Sequence, residues 1–421
     1  MQLKNNGLNR RAFLGAAGFM TINANLVRGF QANSAVRVGL LGCGGRGTAD
    51  ASSMLVNAGA RVVGLGDLFD DQLQAARKHF NEAAEKKGHA GVDDALIFRG
   101  AHAFEEMAAS KGIDAVVIAT PPYFHPLHLG AVVAAGKHVY LEKPVAVDVP
   151  GTRKVLELGK KAQGRLSLEV GFQIRSAPPF VELVKRIHNG DLGEIACGEA
   201  HYNCALLGVG HPDAAPPVAR LRNWLFDRVL SGDIIVEQNI HAIDICNWVL
   251  KGHPVKAAGV GGRKGRPATS DCYGHCSVSF TYPEDVHVAF SSKQFGTGSF
   301  DVNERFFGTL GTSNSPYSGG LGIEGAKPWR WSGSENTQQK EFSAAGTFSD
   351  NLAEADAEKH KGFINSIASG QFHNQAELGV ESSLSAMLGR MAMDLKREVT
   401  WDELLRSKDV WDAKLDLSRL V

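Results

Sequence analysis

Residues 36–47 read VRVGLLGCGGRG, an apolar β-branched run that breaks at Gly42, Gly44 and Gly47. In a GxGxxG turn the first glycine permits a tight strand-to-helix bend. The second lets backbone approach a pyrophosphate, and the third allows close packing of helix on sheet. The N–H groups at the start of the helix then hold the anion. The chain has 48 glycines, so the surrounding pattern has to decide. A helix-compatible stretch follows, and then ARVVGLGD ends in Asp67, about 20 residues on, where an acid meets the adenosine ribose hydroxyls. A carboxylate there repels a 2′-phosphate, and no Arg or Lys follows in LFDD, so NAD is expected rather than NADP. Asp67 read alone is a solvated strand end.

Two further apolar runs, IDAVVIATPP at 113–122 and GKHVYLEKP at 136–144, read as buried parallel strands. Strands alternating with helices predict an α/β fold with a doubly wound, Rossmann-type parallel sheet. Gly45 and Arg46 in the turn, and Thr120 and Pro121 at the end of the third predicted strand, are candidate cofactor contacts with Asp67 and the three glycines.

Ahead of this unit stands Asn9-Arg10-Arg11-Ala12-Phe13-Leu14-Gly15, then a modest apolar stretch and small residues at Ala32-Asn33-Ser34-Ala35. This has the form of a twin-arginine signal peptide over residues 1–34, which implies the twin-arginine export machinery as a partner and a periplasmic or otherwise exported protein. Its apolar part is short for a membrane span. The roughly 385 residues beyond it exceed one core of ordinary size, so a dinucleotide-binding domain at 35–155 and a second domain at 156–421 are expected. Net charge is zero and the pI is about 7.3, which gives no electrostatic case for nucleic acid. The six cysteines contain no CxxC pair and no zinc pattern. Cys272, His275 and Cys276 lack a second half-site, so no metal is expected.

The ordered motifs VGLLGCGGRG, VVIATPPYFH, AGKHVYLEKP, GDLGEI at 190–195 and the segment around His241 resemble the Gfo/Idh/MocA (glucose-fructose oxidoreductase, inositol dehydrogenase, rhizopine catabolism) family. The resemblance runs from about residue 36 to the end. KGFINSIASG and Trp401-Asp402 resemble its exported branch. It implies a C-terminal α+β domain on a large, mostly antiparallel open sheet, and a homodimer or homotetramer. The period-two stretches HCSVSFTY and DVHVAFSSKQF agree with that sheet, and residues 360–395 return to helical spacing. The Gly- and Ser-rich stretch from Gly296 to Gly322 reads as loops between strands.

The resemblance assigns Lys143, in Glu142-Lys143-Pro144, to the nicotinamide and the reacting hydroxyl, where a cation stabilises a developing alkoxide. Glu142 joins the cofactor contacts, as does His125 near the nicotinamide edge. If 231–250 is one helix, Glu237, His241, Asp244 and Trp248 share a face. His241 is then the acid–base residue. Glu237, a catalytic candidate one turn before, would orient or charge-stabilise the ring; it stands where the family has Asp, four residues before the His, so the longer arm either meets a different sugar hydroxyl or leaves only a structural role. Gln173 and Arg175 match family positions facing substrate, and Asp244 is a partner of the site. Asn223 and Trp224, an amide beside an indole, suit a sugar's polar edges and apolar face.

The leading expectation is an exported NAD-dependent oxidoreductase acting on CH–OH groups of a sugar, sugar derivative or glycoside. Where no nicotinamide pool exists, its cofactor would be retained through turnover. The alternative is an NAD-dependent glycoside hydrolase or lyase using transient oxidation of a ring hydroxyl; relatives of that kind lack an intact EKP, which this chain has. The third reading is a non-catalytic NAD- or sugar-binding protein.

Overall fold

The computed structural model describes residues 35–206, 216–298, 300–332 and 349–420; the expected leader and its export role lie outside them. The apolar run before the glycines forms β1 (Arg37–Leu41), and β2 (Arg61–Asp67), β4 (Ala115–Ile118) and β5 (His138–Leu141) match the other three predicted strands. Two short strands complete the sheet, β3 (Ile97–Arg99) and β6 (Leu168–Val170). All neighbours are parallel in the order β3-β2-β1-β4-β5-β6, the doubly wound arrangement whose crevice opens at the carboxyl ends of the strands. The sheet ends at Val170, beyond the expected limit at 155. β4 and β5 are buried at every residue, as strands covered on both faces must be.

The second sheet has nine strands: β7 (Ile195–Cys204), β8 (Lys256–Gly262), β9 (His275–Thr281), β10 (His287–Gln294), β11 (Asp301–Gly308), β12 (Gly311–Asn314), β13 (Gly322–Gly325), β14 (Trp329–Arg330) and β15 (Val399–Thr400). Their order is β14-β13-β12-β11-β7-β10-β9-β8-β15. The β7–β10 pair is parallel and the others antiparallel. β9 and β10 alternate buried and exposed residues, which identifies a sheet with one covered face. The stretch expected to be loops holds β11 and β12. Val302 and Phe306 enter the core, and that burial outweighs the poor strand propensity of the glycines and serines around them.

Helices from the second half fasten onto the first sheet. Helix Ala376–Leu395 packs on helix Val149–Ala162. In helix Ala355–Ser369, the Lys359 ammonium donates 2.9 Å to buried Glu169 in β6 and also reaches the Val170 carbonyl. One continuous core runs from Leu41 to Leu404. Five of the six cysteines are buried, and all six are unpaired.

Three buried histidines flank β4 and β5, His125 and His128 after the carboxyl end of β4 and His138 at the start of β5. Burial lowers His125 to about 4, His128 to about 3 and His138 to about 4. Each is neutral when folded and takes up a proton on unfolding below its ordinary value of 6.5. Burial also raises carboxyls, Asp50 to about 7 and Asp67, Asp233, Glu304 and Glu381 above their ordinary values, and these have the opposite sign. The three histidines themselves contribute stability that rises with pH across about 4 to 6.5. The slope of melting temperature against pH through that window measures this contribution. The variant His128→Phe should show a shallower slope; an unchanged slope would contradict the assignment.

Candidate active site

β5 runs out at Leu141, and the next three residues carry the charged end of the strand. Glu142 is 4% exposed. One of its oxygens accepts from Arg46 Nε at 3.0 Å and the other from the Lys143 backbone N–H at 3.0 Å. Burial pushes the Glu142 carboxyl up, but Arg46 and Lys143 hold it below its ordinary value. A Cβ on Gly171 would lie 2.5 Å from this carboxylate, so the glycine gives Glu142 its place. The Lys143–Pro144 peptide is cis. Lys143 Nζ donates to the Glu237 carbonyl at 2.6 Å and to Glu237 Oε1 at 3.0 Å.

Residues 231–250 are not one helix. Ile234–Glu237 and Ile240–Leu250 are separate helices joined through Gln238 and Asn239. The Asn239 N–H reaches back five residues to the Ile234 carbonyl at 3.0 Å, a widened turn that re-aims the chain. Glu237 therefore points at Lys143 instead of stacking below His241, and the longer side chain makes that reach. His241 lies in the first turn of the second helix, 9% exposed, with Nδ1 unpartnered among the described residues. The Phe172 ring meets it edge-on at 6.3 Å. Burial, and then the Lys143 charge, push its pKa well below 6.5. The ring is consequently a neutral imidazole beside an ammonium group, ready to accept a proton.

The glycine turn lies at the end of β1, with β4 between it and β5. Gly42 has φ +94°, and a Cβ there would come within 2.7 Å of the Ala119 backbone; one on Gly47 would come within 2.2 Å of the Gly42 carbonyl oxygen. Gly44 and Gly45 differ, because a Cβ at either meets nothing within 4 Å. Helix Gly45–Asn57 begins there with no acid in its first turn and no side-chain cap, leaving its first N–H groups to a ligand. Asp67 is pinned beside them, accepting from Cys43 N at 2.7 Å and Phe69 N at 2.9 Å. Open space, free donors and an acid at the end of β2 fit the pyrophosphate and ribose of NAD.

Several expected contacts have other partners. The Arg46 guanidinium spans Glu142 and Asp356, with bonds of 3.0 and 2.9 Å to the latter. It also lies 2.9 Å from Asp50, which groups with Asp356 and His360. Three carboxylates thus engage its side chain, while its backbone N–H lies in the first turn of the helix. His125 is buried between the Thr120 and Pro144 carbonyls at 2.7 and 2.8 Å, tying the ends of β4 and β5 together. The Thr120 hydroxyl meets His128 Nδ1 at 3.0 Å, and Pro121 caps the short 3-10 turn Pro122–Phe124.

Arg175 and Asp244 pair with each other at 2.8 and 2.9 Å, and Ser382 donates to Asp244 at 2.6 Å. Both charges are thereby neutralised inside the protein. Gln173 is buried and directly follows Phe172 in the chain. Trp224 joins a small apolar cluster at the far end of the crevice, beside Leu68 and Phe69, and Asn223 Nδ2 donates to the Ala219 carbonyl at 3.0 Å. Sequence reading missed Asp356 and the contact of Arg222 with the β2 end, since both come from distant segments with no local motif.

The profile described as an oxidoreductase family with an NAD-binding Rossmann fold, Gfo/Idh/MocA, matches residues 36–170. That of the Gfo/Idh/MocA C-terminal domain matches 180–314. The chain belongs to the Gfo/Idh/MocA family. An inositol 2-dehydrogenase of Rhizobium meliloti is 27% identical over 278 residues, 66% of this chain and 74% of that protein. A glycosyl hydrolase family 109 protein of Streptomyces niveus is 28% identical over 181 residues, 43% of this chain and 35% of that one. The structure of scyllo-inositol dehydrogenase from Lactobacillus casei, with bound NAD(H) and scyllo-inositol, superposes with a TM-score of 0.66 at 18% identity, covering 88% of this chain and all of that one.

The two kinds of glycine predict opposite phenotypes. Gly47→Ala should lower stability by about 1–3 kcal/mol through overpacking. Gly44→Ala should melt like the wild type yet bind NAD more weakly, because its methyl occupies cofactor space. Calorimetry and NAD titration on both variants check this; undiminished NAD binding by Gly44→Ala would place the cofactor elsewhere.

Proposed function

We propose that the protein is an exported NAD-dependent oxidoreductase that oxidises a secondary hydroxyl of a sugar, cyclitol or glycoside. The observation that carries this reading is the convergence of the Lys143 ammonium and the neutral, proton-accepting His241 at the strand end beside the glycine turn. NAD, when bound, supplies the acceptor for the carbinol hydride. His241 takes the hydroxyl proton. Lys143 hydrogen-bonds the oxygen as negative charge develops on it, and Glu237 holds the ammonium in place until substrate arrives. The twin-arginine leader supports export after folding around cofactor, and an exported enzyme retains NAD through turnover. The hydride is then returned to a second carbonyl substrate or to the same molecule. The protein works as a homodimer or homotetramer.

The family 109 relative favours a second reading, in which the same transient oxidation acidifies a neighbouring C–H and permits elimination of a glycosidic leaving group. Cleavage of a glycoside by the holoenzyme with no lasting NADH absorbance distinguishes it from oxidation.

His241→Ala should lower kcat by about 10²–10⁴-fold, and Lys143→Ala should act similarly, with NAD content and melting temperature retained in both. Normal turnover by either variant would refute the assignment. Because the His241 pKa is pushed down, the acid limb of the kcat/KM profile should lie below pH 6.5. A limb above that value would mean that another group is the base.

A further inference from the structure

The carboxyl ends of β2 and β4 lead into Leu68, Phe69 and Tyr123, apolar residues at the rim of the crevice. They are covered from far along the chain, by Leu221 and Trp224 and by Ala413 near the chain end, in a cluster separate from the main core. Main-chain bonds fasten the cover. The Ala413 N–H donates to the Tyr123 hydroxyl at 3.3 Å, the Ala413 carbonyl accepts from Arg220 at 2.9 Å, and the Trp411 N–H donates to Asp148 at 2.8 Å.

Arg222, which ends the short helix Pro216–Arg222, lies flat over the Phe69 ring with Cζ 3.7 Å from its centroid. It grips Asp71 with two bonds of 2.7 and 2.6 Å. Its charge also acts on the Asp67 carboxyl. Asp67, Phe69 and Asp71 occupy the β2 end, where the adenosine half of NAD binds in this sheet topology.

We propose that Arg222 is a cofactor-retaining residue, and that residues 216–231 together with 411–420 form a clasp over the adenosine end of NAD, latched by the Arg222–Asp71 ion pair. The proposal rests on the reading that NAD fills the crevice. A planar guanidinium suits both contacts, since it can stack on an aromatic ring while making a two-pronged bond to a carboxylate. The small cluster can open locally while both sheets stay intact, which gives the nucleotide an entry route that the main core does not offer. Asp71 is about half exposed, so salt weakens the latch.

The test loads the full-length protein with NAD, removes free nucleotide and follows release into an enzymatic NAD trap, with no sugar present. Release from Arg222→Ala, which loses both ion pair and ring contact, should be about tenfold faster than from wild type, and release from Asp71→Asn, which loses the ion pair alone, about threefold faster. The charge swap Arg222→Asp with Asp71→Arg should recover slow release, and about 1 M salt should bring the wild type toward the single variants. Wild-type release rates from both single variants with unaltered melting temperature would overturn the proposal, as would rapid exchange from the wild type. Failure of every sugar to reduce the bound NAD would count against the oxidoreductase reading and leave the release comparison intact.

Discussion

The Arg46 guanidinium is the junction on which the rest of the molecule depends. It belongs to the first turn of the helix behind the glycine loop, yet it bonds Glu142 at the end of β5 and Asp356 in a helix that begins 310 residues later. Burial alone would weaken its charge, but Asp356, Asp50 and Glu142 raise its pKa well above the ordinary value. In return it draws Asp356 down to about 2. Asp50 and Glu142 are buried, so removing the guanidinium would strand their charges in a poor solvent for ions. One side chain therefore registers the cofactor turn, the strand that carries Lys143 and the C-terminal half against one another.

The site inherits its geometry from that registration. Lys143 follows Glu142 directly and is held on its far side by Glu237. The widened turn at Gln238–Asn239 lets Glu237 face the lysine while His241 packs against Phe172. The acid therefore acts on the ammonium, and the imidazole is left neutral. The Asp-to-Glu departure from the family pattern has a physical counterpart in this reach, made by both the carbonyl and the longer carboxylate of one residue.

The local patterns were legible in the sequence where the chemistry is local. Three glycines behind an apolar run specify a strand, a bend and a helix within a dozen residues, and Gly42 and Gly47 are held to glycine by contacts under 3 Å. Four parallel strands announced themselves as apolar runs, and Asp67 stands at the end of the second. β11 and β12 were obscured because their glycines and serines resemble loop composition until Val302 and Phe306 are buried by neighbouring strands. Helical spacing placed Glu237 and His241 on one face, but spacing does not register a turn that closes over five residues instead of four.

Arg46, Arg175 and Asp244 mark the limit of such reading. Each is a charged residue beside a motif, and a sequence offers no way to tell a ligand contact from an internal ion pair when the partner is Asp356 or lies 69 residues away. The sequence by itself determined the family, the doubly wound sheet with its NAD-shaped turn, and the residue types at the strand end, because those rest on backbone constraints and short-range spacing. Only the tertiary structure decided which charges neutralise one another, that Lys143 turns to Glu237 and what covers the end of β2, because electrostatic pairing and packing depend on distances in space that chain separation does not encode.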